Sequence, residues 1–138
     1  SSARNQIQGT VTKVDKGAIN GDVILDIGNG QEIFANITND AIDDLQLRPG
    51  QQAFAVIKAS FVLLSPDPDI RISARNRLTG VITQLTPGTV NSEVKISLPN
   101  SKVITAIVTS DSIEEFHFAV GQPCTALIKA SHIIIATE

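Results

Sequence analysis

The chain is short, weakly acidic and poor in aromatic residues. It has 138 residues, with 11 Lys and Arg against 14 Asp and Glu for a net charge of −3, and 4% aromatic residues with no Trp or Tyr. A nucleic-acid surface needs a basic face and stacking rings, so this composition argues against direct nucleic-acid contact. No apolar run approaches the roughly 20 residues that span a bilayer, so we expect a cytoplasmic protein without a membrane partner.

An internal repeat organises the sequence. Two short runs recur 71 residues later: Ser2-Ala3-Arg4-Asn5 as Ser73-Ala74-Arg75-Asn76, and Lys58-Ala59-Ser60 as Lys129-Ala130-Ser131. Between residues 2–64 and 73–135, 22 of 63 aligned positions are identical. One module is therefore used twice.

The first module has the alternating pattern of short strands. Apolar residues at every second position predict strands at 5–14, 22–27 and 32–38, with a hairpin signal at Gly28-Asn29-Gly30. Gly9 indicates a bend or a close backbone approach within the first strand. Thr38-Asn39-Asp40 is typical of a capped helical turn, which Arg48-Pro49-Gly50 ends. Strands at 52–58 and 61–64 complete the module.

The second module repeats this plan. Its predicted strands are 76–85, 93–98, 102–109, 125–129 and 132–137, with a helical turn over 110–118. Five strands with a helical turn before the fourth indicate a small OB-like barrel. We therefore predict an all-β fold of two tandem OB-like five-stranded barrels, at residues 1–65 and 73–138, joined by a linker at 66–72. Barrels of this size are marginally stable alone, so we expect them to pack together and to form a homo-oligomer.

Little in the sequence suits catalysis or metal binding. The acidic residues Asp43, Asp44, Glu114 and Glu115 fall on the outer side of the helical turns, where a solvated face is the ordinary interpretation. His117, His132 and Cys124 are the only histidines and cysteine, too few for a metal centre at the usual ligand spacings. We predict no enzyme activity and no directly bound metal cation.

The repeated runs instead preserve hydrogen-bond donors. They supply serine hydroxyls, a guanidinium and an ammonium in each module, together with a threonine at the start of each helical turn. A small tetrahedral oxyanion offers only acceptors, so this set suits one, and charge-assisted hydrogen bonds contribute roughly 1.5–3 kcal/mol each. The alternative is that these residues form ordinary ion pairs and turn caps.

The same runs resemble the Mop family, the molbindins. Ser-Ala-Arg-Asn-x-x-x-Gly, then Gly-(Ala/Thr)-(Ile/Val)-Asn, then Lys-Ala-Ser occur twice at this family's spacing, and the resemblance covers nearly the whole chain. It implies OB-like barrels that bind molybdate or tungstate between modules or subunits. The Ser and Arg of the first motif would come from one unit, and the Thr at the helical turn and the Lys-Ala-Ser run from another.

Carried over by motif, the resemblance implies a set of oxyanion-binding residues in both modules. They are Ser2, Arg4, Asn5, Thr38, Lys58, Ala59, Ser60, Ser73, Arg75, Asn76, Thr109, Ser112, Lys129, Ala130 and Ser131. The hydroxyl of Ser112 has no counterpart in the first module, where Ala41 takes its place. We therefore expect the modules to bind unequally.

Two functions fit the resemblance. The first hypothesis is the ligand-sensing region of a ModE-like molybdate-responsive transcriptional regulator, which would be dimeric; the absence of Met and the start at the first motif favour a fragment of that kind. The alternative is a free-standing molbindin that stores molybdate, which would be trimeric. A third possibility, an OB-type nucleic-acid binder, has only the fold in its favour.

Overall fold

The structure, a computed structural model, describes residues 4–138 as two five-stranded antiparallel sheets. The first half forms β1 Arg4–Lys16, β2 Asn20–Gly28, β3 Gln31–Thr38, α1 Asn39–Asp44, β4 Gln52–Lys58 and β5 Leu63–Ser65. The second forms β6 Asn76–Thr86, β7 Asn91–Ser97, β8 Val103–Thr109, α2 Ser110–Phe116, β9 Pro123–Ile128 and β10 Ile134–Ala136. The all-β prediction, with a short helix before each fourth strand, is confirmed. No helix in this part of the chain is long and apolar enough to cross a membrane.

Each sheet takes its fifth strand from the other half of the chain. The strand orders are β10-β4-β1-β2-β3 and β5-β9-β6-β7-β8, with Ile135 opposite Ala55 in one sheet and Leu64 opposite Ala126 in the other. The boundaries predicted at 1–65 and 73–138 therefore follow the sequence repeat and do not coincide with the two sheets. A strand's apolar pattern is the same whichever sheet it joins, which is why the repeat alone did not reveal the exchange.

A 3₁₀ turn precedes each exchanged strand. These turns are Ala59–Phe61 and Ala130–His132, and each ends at the first residue of a segment predicted as strand, 61–64 or 132–137. They redirect the chain, so β5 and β10 are only three residues long. Ile133 and Ile135 are then 2% and 6% exposed, and this burial fixes the second exchanged segment against the first sheet.

The glycine of each first strand is required by a close backbone approach, as predicted. A Cβ added at Gly9 would lie 2.8 Å from the carbonyl oxygen of Asp26 on β2. The ladder between β1 and β2 shifts register between Val11 and Lys13, and the ladder between β6 and β7 does so between Ile82 and Gln84. These irregularities bend the long first strand of each half around its core.

Two buried asparagines join the sheets to each other. Asn5 donates to the carbonyl of Thr105 at 2.9 Å and accepts from the N–H of the same residue at 2.7 Å. Asn76 makes the same pair of bonds with Phe34, at 2.8 and 2.7 Å. Phe34 and Thr105 lie on β3 and β8, the edge strands of the opposite sheets. Each asparagine carboxamide thus forms hydrogen bonds with the N–H and C=O of one residue on an edge strand, as a neighbouring strand would.

We predict that Asn76→Ala destabilises the protein by about 2–4 kcal/mol, because it leaves the N–H and C=O of Phe34 without partners. Chemical denaturation followed by circular dichroism measures the change. Gln84→Ala, at an exposed position of the same strand, is the matched control and should have little effect. A free energy of unfolding for Asn76→Ala within about 0.5 kcal/mol of the parent protein, the range of ordinary surface substitutions, would contradict this role.

Candidate functional site

Donors from both halves of the chain meet at one cavity. Ser60, in the first 3₁₀ turn, lines a cavity of about 540 Å³ together with Thr109, Ser112 and Asn91 of the second half. Apolar side chains form the rest of its wall, among them Leu64, Ile107 and Phe118. The exchange brings these residues together, because the turn at 59–61 packs against β8 of the other half. The resemblance had assigned the Thr and the Lys-Ala-Ser run to one unit, whereas here they come from different halves.

The hydroxyl groups of this cavity differ in availability. Thr109 caps α2 by accepting a hydrogen bond from the N–H of Ser112 at 3.3 Å, so its own hydroxyl proton is free to donate. Ser112 donates its hydroxyl to the carbonyl of Thr109 at 2.7 Å. A ligand would gain a donor from Thr109 directly, and from Ser112 only after that hydroxyl rotates.

Two cations lie at the ends of the strands next to the turn that contains Ser60. Arg4 and Lys58 are opposite each other in the β1–β4 ladder, both are exposed, and neither is among the residues that line the cavity. The ammonium of Lys58 lies 5.6 Å from the ring centroid of Phe61. We call Arg4, Lys58, Ala59 and Ser60, with Thr109 and Ser112 of the other half, the first site.

The repeat provides a corresponding set of residues, which we call the second site. It consists of Arg75, Lys129, Ala130 and Ser131 from the second half and Thr38 from the first. The 3₁₀ turn that contains Ser131 packs against β3, and Thr38 caps α1 by accepting from the N–H of Ala41 at 3.1 Å. The rings of Phe61 and His132 stack with centroids 4.4 Å apart, so the 3₁₀ turns of the two sites contact each other.

Arg75 has partners that sequence analysis did not find. Its guanidinium makes an ion pair with Asp22 at 3.2 Å and lies 4.5 Å from the ring centroid of Phe34. A hydrogen bond from Asn36, together with the charge and hydrogen bond of Arg75, holds the pKa of the Asp22 carboxyl below its ordinary value, although partial burial opposes this. Alternation along β2 does place Asp22 outward, but no sequence signal pairs it with Arg75.

The predicted role of Asn5 and Asn76 as oxyanion ligands stays a prediction, and their side-chain donors are engaged within the protein. Beyond the bonds to the opposite edge strands, their amide groups donate to the carbonyls of Ile57 and Ile128, at 3.3 and 3.1 Å. Both amide hydrogens of each side chain are thereby used. These residues hold the two halves in register, and they position the arginine that precedes each of them.

The remaining predicted residues have separate outcomes. Ser2 lies outside the described residues, and Ser73 is exposed in the segment before β6. Asn91, which lines the cavity, was missed, although the repeat contains a signal for it because Asn20 is its counterpart.

Within residues 4–138 no cluster of His, Cys, Asp and Glu suits a metal ion. Cys124 is buried, and burial raises the pKa of its thiol to about 11, which makes it an unreactive core residue.

Comparison with known proteins identifies relatives over the whole chain. The molybdenum-pterin-binding protein MopA of Rhodobacter capsulatus is 46% identical over 137 residues, and the molybdenum transport protein ModE of Herbaspirillum seropedicae is 38% identical over 139 residues. Each match covers 99–100% of this chain and 52% of the relative, so the chain spans about half the length of these curated relatives. A further relative, the ModE of Escherichia coli, is 30% identical over 138 residues and is described as a DNA-binding transcriptional dual regulator. These descriptions are of binding, transport and regulatory proteins and not of enzymes.

A solved structure matches the fold closely. It is the cytoplasmic molybdate-binding protein ModG with molybdate bound, with a TM-score of 0.95 and 38% sequence identity, covering 100% of this chain and 99% of that one. The TOBE domain model matches twice, at residues 1–64 and 72–135, the same two units that the internal repeat defines. The chain therefore belongs to the TOBE domain family and carries two Mop-type copies of the domain in tandem.

Proposed function

We propose that this chain binds molybdate or tungstate at two related sites, each built from both halves. The observation that carries the proposal is the cavity where Ser60 of one half meets Thr109 and Ser112 of the other. The molybdate-bound ModG structure, which shares the fold over the whole chain, supports the choice of ligand. Packing of the turn that contains Ser131 against β3, the strand that ends at Thr38, supports a second, related site.

The chemistry of the donors suits such an anion. A tetrahedral oxyanion with two negative charges accepts hydrogen bonds only, and Thr109, Ser60 and the nearby Lys58 are groups that donate. None of the described residues that line the cavity is acidic. The apolar wall weakens solvent screening, so each charge-assisted bond is stronger there than on an open surface.

A second copy of the chain is part of this proposal. Leu63 and Ile72 line the cavity and are 49% and 37% exposed, so this apolar rim is only partly covered by the chain itself. Packing a second copy against it would bury that surface and bring further donors towards the anion. We therefore propose a homo-oligomer in which ligand sites lie at or beside the contacts between copies.

For the cellular role, a free-standing cytoplasmic protein that stores and buffers molybdate is favoured. The support is the match to ModG over 99% of its chain. The second candidate is the sensing region of a regulator, supported by the ModE relatives. The two differ in assembly, because the storage role predicts a trimer and the regulator role predicts a dimer. Sedimentation equilibrium decides between them, and a dimer would overturn the storage role.

Calorimetric titration with molybdate, tungstate, sulfate and phosphate tests the binding function. We expect tight binding of the first two only, and at least a tenfold loss of affinity at the affected site in Lys58→Ala or Lys129→Ala, since a charge-assisted bond contributes roughly 1.5–3 kcal/mol.

Lys102→Ala is the control, because Lys102 precedes the opposite end of β8 from Thr109 and should leave affinity unchanged. Sulfate affinity equal to molybdate affinity would show that these lysines do not form a selective oxyanion site. Equal molybdate affinities in Lys58→Ala, Lys129→Ala and Lys102→Ala would show the same.

A further inference from the structure

The two site arginines have different surroundings. Arg75 is paired with Asp22 and stacked on Phe34, both in the other half of the chain. Arg4, its repeat counterpart, makes no ion pair with any residue in the described range. The two halves therefore differ in the surroundings of the site arginine, the residue whose charge no ordinary pH removes.

Asp22 is held in place to face Arg75. Its other carboxylate oxygen accepts from the amide of Asn36 at 2.9 Å, and Asn36 in turn accepts from Asn20 at 3.2 Å. An aspartate is ionised at neutral pH, and the Asn36 hydrogen bond and Arg75 lower the pKa of Asp22 further. A fixed negative charge thus faces the guanidinium of the second site.

The equivalent surface of the second half has different charges. Glu93, at the repeat position of Asp22, lies 3.7 Å from Lys95 of the same strand. Lys95 also donates to the hydroxyl of Thr105 at 3.0 Å, the residue to which Asn5 binds. Lys95 and Thr105 stand where the first half has Ile24 and Phe34. Glu93 is therefore offset by a cation on its own strand, whereas Asp22 is offset by Arg75 of the other half.

We propose that Asp22 competes internally with the oxyanion for Arg75, so that the second site binds more weakly than the first. This inference rests on the proposed function. An arriving dianion either displaces the carboxylate from the guanidinium or binds beside it and is repelled by it. Both routes lower affinity at the second site, and neither acts at the first.

The geometry of the Arg75–Asp22 ion pair favours an effect on oxyanion affinity over an effect on folding stability. The side chains of Arg75 and Asp22 are 46% and 40% exposed, and ion pairs this open contribute little to folding. Stacking on Phe34 keeps one face of the guanidinium against the protein and leaves its edge for anions. Removing the carboxylate therefore changes the local charge by one unit while Arg75 stays in position.

The inference is tested by titrating the full chain and its Asp22→Asn variant with molybdate at low salt. We expect the weaker class of sites to gain about two- to fivefold in affinity, the range that a half-exposed ion pair supports. The gain should shrink as sodium chloride is added, and it should vanish in an Arg75→Ala background. Circular dichroism should show the same melting temperature for Asp22→Asn as for the parent protein.

Asp26→Asn is the matched control. It removes the same charge from the same strand, four residues and so about 13 Å away, and should not change affinity. Three results would overturn the inference and leave the binding function standing. They are an Asp22→Asn variant with the parent's molybdate affinity, an equal gain in affinity in Asp26→Asn, and a gain in affinity that persists without Arg75. Absence of molybdate binding in the parent protein and in every variant would overturn the proposed function, and this inference with it.

Discussion

The exchange of fifth strands between the two sheets is the constraint on which the rest of the structure depends. Neither half completes a sheet with its own residues, because β10 pairs with β4 and β5 pairs with β9. The carboxamides of Asn5 and Asn76 add a second connection by satisfying backbone groups on the edge strands opposite. A domain of nearly 70 residues buries too little surface to be robustly stable, and exchange lets two such units share one interface.

The sites follow from that interface. The exchange carries each Lys-Ala-Ser run onto the other half, where it lies near the threonine that caps a short helix. Each arginine directly precedes an interface asparagine, so contacts at the interface and contacts at the sites depend on the same backbone. The stacked rings of Phe61 and His132 join the two 3₁₀ turns. The two sites share no helix or strand, but their turns contact each other through these rings, which gives a physical route by which the sites can influence each other.

Much of this could be predicted from the sequence, and the rest could not for physical reasons. The repeat, the strand alternation and the glycine at position 9 are local patterns, and they correctly predicted an all-β fold with two five-stranded sheets. The exchange depends on which partner a strand finds, and Leu63-Leu64-Ser65 has a pattern that suits either sheet. The motif grouped Asn5 with the ligand residues because it adjoins Arg4, but a side chain's partners across an interface are not encoded in its neighbours. The pairing of Arg75 with Asp22, 53 residues away in sequence, was hidden for the same reason.

The central claim is that each oxyanion site is assembled from both halves of the chain. Anomalous diffraction near the molybdenum absorption edge, from crystals grown with molybdate, tests it most directly. The account predicts one molybdenum peak near Ser60 and Thr109 and another near Ser131 and Thr38, each with its oxygens within hydrogen-bonding reach of both residues. The peak at Ser60 and Thr109 should appear at the lower molybdate concentration. Peaks that contact residues of one half only, or peaks away from both serines, would contradict it.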